Sequence, residues 1–269
     1  MGRKLLGLVL LASLTVCSSC GFFAKGHREK TVTIAGSTSV MPFTEKLAEH
    51  FMVERPGTFI DVQGGGSSAG IQATMNGTVA IGMSSRELKG KEKSLHAIAI
   101  CHDAIAVIVN PKNPLSGLTT AQVRDIYSGK IRNWKELGWI DRDINAVTRE
   151  EGSGTRGAFE DLVMRNVLID DSVMVQDSNG AVREVVGNDP YAVGYISLGI
   201  VDPRVKTLFI DGVLPSIQNV RAKRYGIVRP FLYLTSKTPS PQAQAFIDFV
   251  LSDQGQAILR KEGLIPIHG

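Results

Sequence analysis

The sequence predicts an α/β protein of two lobes joined by two chain crossings, and three observations carry that expectation. Strand, tight turn and helix follow one another repeatedly, which is the grammar of a mainly parallel sheet covered by helices. A long apolar run, residues 97–109, ends in the break Asn110-Pro111-Lys112-Asn113-Pro114, where a first crossing between lobes is expected. A second break at 222–228 precedes a return strand at 229–235, so the chain comes back to the lobe it left. At 269 residues it also exceeds what one small core organises. The expected division is residues 31–110 plus 226–269 for lobe 1 and residues 111–225 for lobe 2.

Before the globular part, Arg3 and Lys4 precede an apolar stretch, residues 5–16, that is too short to span a bilayer and reads as a secretory leader. Thr15-Val16-Cys17-Ser18-Ser19-Cys20-Gly21 follows, and it resembles the bacterial lipoprotein processing signal, in which small residues precede a cysteine that becomes lipidated. Cys20, flanked by Ser19 and Gly21, is the better candidate than Cys17, which follows the bulkier Val16. Residues 1–20 are thus expected to be leader and anchor cysteine, and residues 21–30, which show no sustained period, a tether. Cys101 then remains as a single thiol, so no disulfide is expected, and its apolar surroundings suit a small buried hydrophobe.

Along the body, residues 31–35 alternate as a strand, Gly36-Ser37-Thr38-Ser39 turns, and residues 41–52 repeat apolar side chains at helical spacing. Residues 58–63 form the next strand, Gly64-Gly65-Gly66-Ser67-Ser68 the turn and 69–76 the helix, with a short buried strand at 80–83. Past the first break, Thr119 or Thr120 caps a helix reaching Tyr127. Residues 145–148 form a strand that leads through Gly152-Ser153-Gly154-Thr155 into a helix over 157–167. Residues 174–176, a helix at 181–186, a strand near 194–197 and two helices over 242–261 complete the series. No internal repeat is present.

Composition narrows the function. The chain is 43% hydrophobic and 21% charged, an ordinary globular balance. Without Arg3 and Lys4 it carries 28 basic against 26 acidic residues, which gives no support to a nucleic-acid partner. The five histidines are scattered and none stands at zinc-site spacing, so no metal or other cofactor is expected.

Three glycine- and hydroxyl-rich turns, at 36–39, 64–68 and 152–155, each follow a strand and open a helix. A helix N-terminus presents unpaired N–H groups and a positive dipole, glycine lets the backbone approach closely, and Ser or Thr adds hydroxyl donors. Taken singly, such a turn is an ordinary capped junction; together, divided between two lobes, they suit an anion. Arg149 ends a strand four residues before Ser153, where its planar guanidinium can make two parallel bonds to an oxyanion. Arg86, after Gly82-Met83-Ser84-Ser85, is a second cation, for which ligand contact and structural pairing weigh equally. Hydrogen bonds to a charged group contribute about 1.5–3 kcal/mol each, so a dozen neutral donors and one or two arginines suffice to hold a buried anion.

Four motifs in order, Ala35-Gly36-Ser37-Thr38-Ser39, Gly64-Gly65-Gly66-Ser67-Ser68-Ala69-Gly70-Ile71, Ile81-Gly82-Met83-Ser84-Ser85-Arg86-Glu87-Leu88 and Arg149-Glu150-Glu151-Gly152-Ser153-Gly154-Thr155-Arg156, resemble the substrate-binding protein of the phosphate-specific ABC transporter. The resemblance covers nearly all of residues 31–269. It implies a bilobal periplasmic-binding-protein fold of type II, capture of inorganic phosphate between the lobes, delivery to inner-membrane ABC permease subunits, and a monomer. Carried over by position, Thr38, Ser39, Ser67 and Ser85 would bind from one lobe and Arg149, Ser153, Gly154 and Thr155 from the other. Ser37, Ser68, Ser84 and Arg86 are further candidates. The chain departs from many members at Ser85, where they place an aspartate that accepts the proton of hydrogen phosphate and helps reject sulfate. Binding proteins for sulfate, molybdate or tungstate share the same turns and cleft and stay open as alternatives.

An enzyme fits less well. Neither Ser67 nor Ser153 sits in a Gly-X-Ser-X-Gly elbow, and no base and orienting partner stand out among the histidines. A nucleotide site fails on its own motif, because Gly64-Gly65-Gly66-Ser67-Ser68-Ala69-Gly70 is followed by Ile71 where a P-loop needs lysine.

Overall fold

The computed structural model describes residues 30–236 and 238–267. The expected leader, the expected anchor cysteine Cys20 and nearly all of the expected tether, residues 21–30, lie outside the described residues.

The chain opens with β1 (Lys30–Gly36), α1 (Met41–Glu54), β2 (Thr58–Gly64), α2 (Ser67–Met75) and β3 (Ile81–Ser84). β4 (His96–Val109) then leads to β5 (Gly117–Leu118), α3 (Thr120–Tyr127), β6 (Asn145–Arg149), α4 (Gly154–Phe159), β7 (Met174–Gln176), α5 (Asn179–Asn188) and β8 (Ala192–Ser197). β9 (Lys206–Thr207), β10 (Phe209–Ile210), α6 (Ile217–Arg221), β11 (Val228–Thr235), α7 (Pro241–Leu251), α8 (Asp253–Lys261) and β12 (Ile265–Pro266) close the series.

The main ladder runs β2-β1-β3-β11-β4-β8-β6-β7. Its two wings are parallel, β2-β1-β3 and β8-β6-β7, as strand–turn–helix repeats require. The centre is not: β11 pairs antiparallel with both β3 and β4, and β4 antiparallel with β8. The sheet is therefore mixed, where the repeated units alone led to a mainly parallel expectation.

β4 also corrects the lobe boundary. Its first part, His96 to Ala104, pairs with β11, and from Ile105 onward it pairs with β8. The first crossing thus falls inside the strand at Ala104–Ile105, and Asn110, placed at the crossing by sequence, is already deep in the second lobe, where its amide bonds the carbonyls of Val186 and Gly187. The prolines mark where the chain turns. An uninterrupted strand passes from one sheet to the next without any such signal. The return crossing lies at Ile227–Val228, where the carbonyl of Ile227 accepts from the amide of Ile105 at 2.9 Å and Val228 pairs with Ala104.

Each lobe has its own core. Phe43, Leu47, Phe51, Cys101, Phe231, Phe246 and Val250 gather between α1, α7 and the first sheet. In the second lobe β4 is buried on both faces, sending Ile105, Val107 and Val109 toward Tyr127 and Phe159, and Ala106 and Ile108 toward Val182 and Val186 of α5. Period-two alternation between two apolar faces explains why the segment reads as one continuous hydrophobic run. Cys101 is free and buried, and burial pushes its thiol well above the usual range. The helix expected over 157–167 begins earlier, at Gly154, and loosens into a π turn over Glu160–Met164 before Arg165 ends it in the left-handed conformation.

α2 lies unusually close to the sheet. A methyl group at Gly70 would stand 2.5 Å from the carbonyl oxygen of Ala35 and 2.6 Å from the Cα of Gly36, so only glycine fits. Gly70→Ala is expected to cost about 1–3 kcal/mol through overpacking, read calorimetrically as a melting temperature lower by about 2–10 °C. An unchanged melting temperature would show that α2 has room to shift.

Candidate functional site

The strand-to-helix turns of both lobes meet at one place. In the first lobe, Gly66 N donates to Gly36 O at 3.0 Å, which ties the first turn to the second. The amide of Ser85, just beyond β3, donates to Ser67 Oγ at 3.1 Å, which adds the end of the third strand. Ser37 Oγ donates to Ser85 Oγ at 2.9 Å, and Ser67 Oγ lies 3.4 Å from the same hydroxyl. Ser37, Ser67 and Ser85 therefore form a compact buried cluster.

The second lobe closes over it. Ser153 caps α4 by accepting from Arg156 N at 3.2 Å, which aims the first turn of the helix at the opposite lobe. Thr155 Oγ1 lies 2.6 Å from Ser39 Oγ, and Asn179 Nδ2 donates to that Ser39 oxygen at 2.7 Å. Ser68 N donates to Gly152 O at 3.1 Å, main chain to main chain between lobes. Gly154 faces the serine cluster so closely that a methyl there would stand 2.1 Å from Ser67 Oγ and 2.6 Å from Ser85 Oγ.

Arg149 supplies the charge. Its side chain is 1% exposed. Nε donates to Glu150 Oε2 and Nη2 to Glu150 Oε1, both at 3.0 Å, while the carbonyls of Gln176 and Asp177 accept at 3.2 and 3.0 Å. Nη2 also reaches Thr38 Oγ1 in the other lobe at 3.1 Å. Nη1 is buried and has no hydrogen-bond partner among the described residues. The strand beneath is seated on stacked rings, Tyr195 on Phe159 at 3.9 Å, and Tyr195 hydroxyl pairs with Thr148 Oγ1 at 2.6 Å. Burial pushes that phenol up to about 12, so it stays protonated.

Of the residues singled out by sequence, Ser37, Thr38, Ser39, Ser67, Ser85, Arg149, Gly154 and Thr155 come together here. Ser153 acts as the cap. Ser84 turns inward and donates to the carbonyl of Arg86 at 2.9 Å. Arg86 is committed elsewhere: Nη1 and Nη2 bond both oxygens of Glu92 at 2.8 and 2.9 Å, and Nη2 reaches Ser68 Oγ at 3.3 Å. Its bond holds the Glu92 carboxyl below the usual range. The fork to Glu92, and a stem packed against Gly157 of the opposite lobe, fit the structural-pairing alternative for Arg86.

Four residues escaped the sequence reading. Asn179 begins α5 after Ser178, at a fourth strand-to-helix junction of the same kind, and that grammar was available. Asp103 places a carboxylate, beside His102, in a strand that is otherwise mostly apolar, a signal equally available. It is fully buried and paired with Arg229, whose Nε and Nη2 donate to Oδ2 at 3.1 and 3.0 Å, while Ser197 Oγ donates to Oδ1 at 2.9 Å. Burial pushes the Asp103 carboxyl up against the pull of Arg229. That Ser197 and Arg229 meet Asp103 is a long-range fact no local pattern encodes. No group of three or more His, Cys, Asp or Glu gathers as for a metal among the described residues.

Hydroxyls, a helix N-terminus and an uncommitted guanidinium nitrogen around one closed cleft make a donor-rich surface fit for an anion. Gly154→Ala is expected to hold the lobes apart, since its methyl collides with the opposing serines. Small-angle X-ray scattering should then report a larger radius of gyration than for the parent protein, and an identical radius would show that closure does not depend on this contact.

A family model for the PBP superfamily domain matches residues 24–254. The phosphate-binding protein PstS of Bacillus subtilis is 31% identical, over 98% of this chain and 94% of its own length. Among solved structures, one from Clostridium perfringens, described as a phosphate ABC transporter substrate-binding protein with bound phosphate, is 42% identical, with a TM-score of 0.86 over 88% of this chain and all of that one. An ABC-type phosphate transport receptor from Vibrio cholerae is 37% identical, with a TM-score of 0.73 over 87% of this chain and 99% of that one. Sequence, fold and the shared extent of the chains agree, and this chain belongs to the PBP superfamily and, within it, to the PstS family of ABC-transporter substrate-binding proteins.

Proposed function

We propose that the protein binds inorganic phosphate between its lobes and delivers it to an ABC permease for uptake. The observation that carries this reading is Arg149 Nη1, a buried donor without a partner, at the edge of a ring of hydroxyls from both lobes. Thr38, Ser39, Ser67 and Ser85 offer their donors from one side, and Arg149, Ser153, Gly154 and Thr155 from the other. A tetrahedral oxyanion presents oxygens in all directions, so it is fully satisfied only when both lobes contribute, and binding is thereby coupled to closure. Relatives named phosphate-binding protein, and a similar structure with bound phosphate, support this choice of anion.

Nothing in this role requires turnover: the machinery binds, and release follows opening. Ser85 itself places a hydroxyl, with no charge to repel a fully ionised anion, so sulfate, molybdate and tungstate are the alternatives against which the choice of phosphate is tested. The finer assignments are proposals of the same reading: a leader over residues 1–20, lipid on Cys20, a tether over 21–30, a monomer, and a location outside the cytoplasmic membrane.

Titration calorimetry of the ligand-stripped body is expected to give one phosphate per chain, not displaced by a large excess of sulfate. Tight binding of sulfate or molybdate with no response to phosphate overturns the substrate. Arg149→Ala should weaken phosphate binding by about a hundred-fold or more, because it removes the charge and at least one charge-assisted bond. Cys20→Ala in the full-length chain is expected to abolish incorporation of labelled palmitate and release the protein from the membrane fraction, and retention of both would place the lipid elsewhere.

A further inference from the structure

Behind the ring of hydroxyls lies the buried ion pair at the crossing. Asp103 of β4 and Arg229 of β11 stand opposite each other in strand register, next to the point where both strands change lobes. Each partner has one further arm. Arg229 Nη1 donates to the carbonyl oxygen of Ser85 at 3.3 Å. Asp103 Oδ1 accepts from Ser197 Oγ, the amide of Ser197 donates to Asn179 Oδ1 at 3.2 Å, and Asn179 Nδ2 donates to Ser39 Oγ. The pair therefore reaches the ring at two separated points, Ser85 through the first lobe and Ser39 through the second.

We infer that Asp103 and Arg229 are positioning residues for anion capture, holding the Ser85 and Ser39 hydroxyls at the orientation the closed cleft needs; this rests on the phosphate reading of the site. A buried ion pair adds little net stability over well-packed apolar residues of the same volume, whereas its bonds are directional. What this pair provides that apolar packing would not is orientation. Ser85 has no other side-chain hold on its carbonyl, and its hydroxyl is the acceptor of Ser37 Oγ, so a turn of the peptide at Ser85 misaligns two donors at once. Because Ser197 belongs to the second lobe, the second arm is completed across the crossing, which ties ring geometry to the relative placement of the lobes.

A double-mutant cycle on phosphate affinity tests this. Arg229→Lys keeps a cation opposite Asp103 but, with one nitrogen in place of a fork, releases the Ser85 carbonyl. It is expected to weaken binding about ten-fold in the parent protein, yet less than about two-fold in a Ser85→Ala background, where there is no hydroxyl left to orient. A merely structural role gives the same loss in both backgrounds, and that result, or undiminished affinity of Arg229→Lys, overturns the proposal. Should Arg229→Lys fail to melt cooperatively, Ser197→Ala against Ser39→Ala reads the other arm, with the same expected non-additivity and the same overturning result. A parent protein that ignores phosphate but binds sulfate sinks the substrate reading alone, and the cycle is then read with sulfate. A parent that binds neither removes both.

Discussion

A guanidinium buried to the extent of Arg149 is the constraint around which the rest of the site is arranged. Taking such a charge out of water is costly unless it is paired and its donors are met. Glu150 neutralises it and, with the carbonyls of Gln176 and Asp177, fixes the plane of its fork. Three of the five N–H donors, on Nε and Nη2, are engaged in that arrangement and in the bond to Thr38, and the two on Nη1 are left over. The Glu150 carboxylate also means that the cleft as a whole is not strongly positive. Attraction for an anion then depends on many short, well-aimed donors more than on net charge, and aim is a property of the fold.

Aim, in turn, depends on how closely the lobes approach. A side chain at Gly154 would collide with Ser67 and Ser85 of the opposite lobe, and one at Gly70 with the main chain of the first strand in its own lobe, so closeness both between and within lobes is achieved by leaving side chains out. The hydroxyls that remain are short and stiff, and a serine gives up little rotational freedom on being fixed. A ring of long, flexible cations would pay far more entropy for the same contacts. Short donors on tight turns are thus a consequence of geometry, and they account for the repeated Gly-Ser and Gly-Gly-Gly-Ser-Ser patterns at strand ends.

Those patterns are why so much was legible in the sequence. Gly36-Ser37-Thr38-Ser39, Gly64-Gly65-Gly66-Ser67-Ser68 and Gly152-Ser153-Gly154-Thr155 are each a local solution, readable from their own few residues, and most of the ring follows from them. Asn179 uses the same grammar with a less conspicuous composition. Asp103, Arg229 and Ser197 were not placed because their meaning lies in strand register, which joins residues about a hundred positions apart. The lobe boundary was misplaced for a related reason. Prolines announce where a strand ends, but a strand that simply changes neighbours at Ala104 and Ile105 leaves no mark, since both environments are apolar. Arg86 is ambiguous for the opposite reason: its partner Glu92 is near in sequence, but no local pattern shows that the two side chains meet as a fork.

A crossing made inside two adjacent antiparallel strands has a mechanical consequence. Where lobes are joined by loops, the linkers can bend in any direction and the lobes can slide. Here the amide of Ile105 bonds the carbonyl of Ile227 while Val228 pairs with Ala104, so the ladder continues across the crossing. Bending a two-strand ribbon out of its plane leaves its hydrogen bonds intact, whereas shear along the strands breaks them in register. The motion expected of such a crossing is therefore a rotation that opens the cleft and separates Thr155 from Ser39 and Gly154 from Ser67. Asp103 and Arg229 sit beside the crossing, where a rotation about it displaces them least, so a charge pair placed there can stay bonded while the surfaces it supports separate.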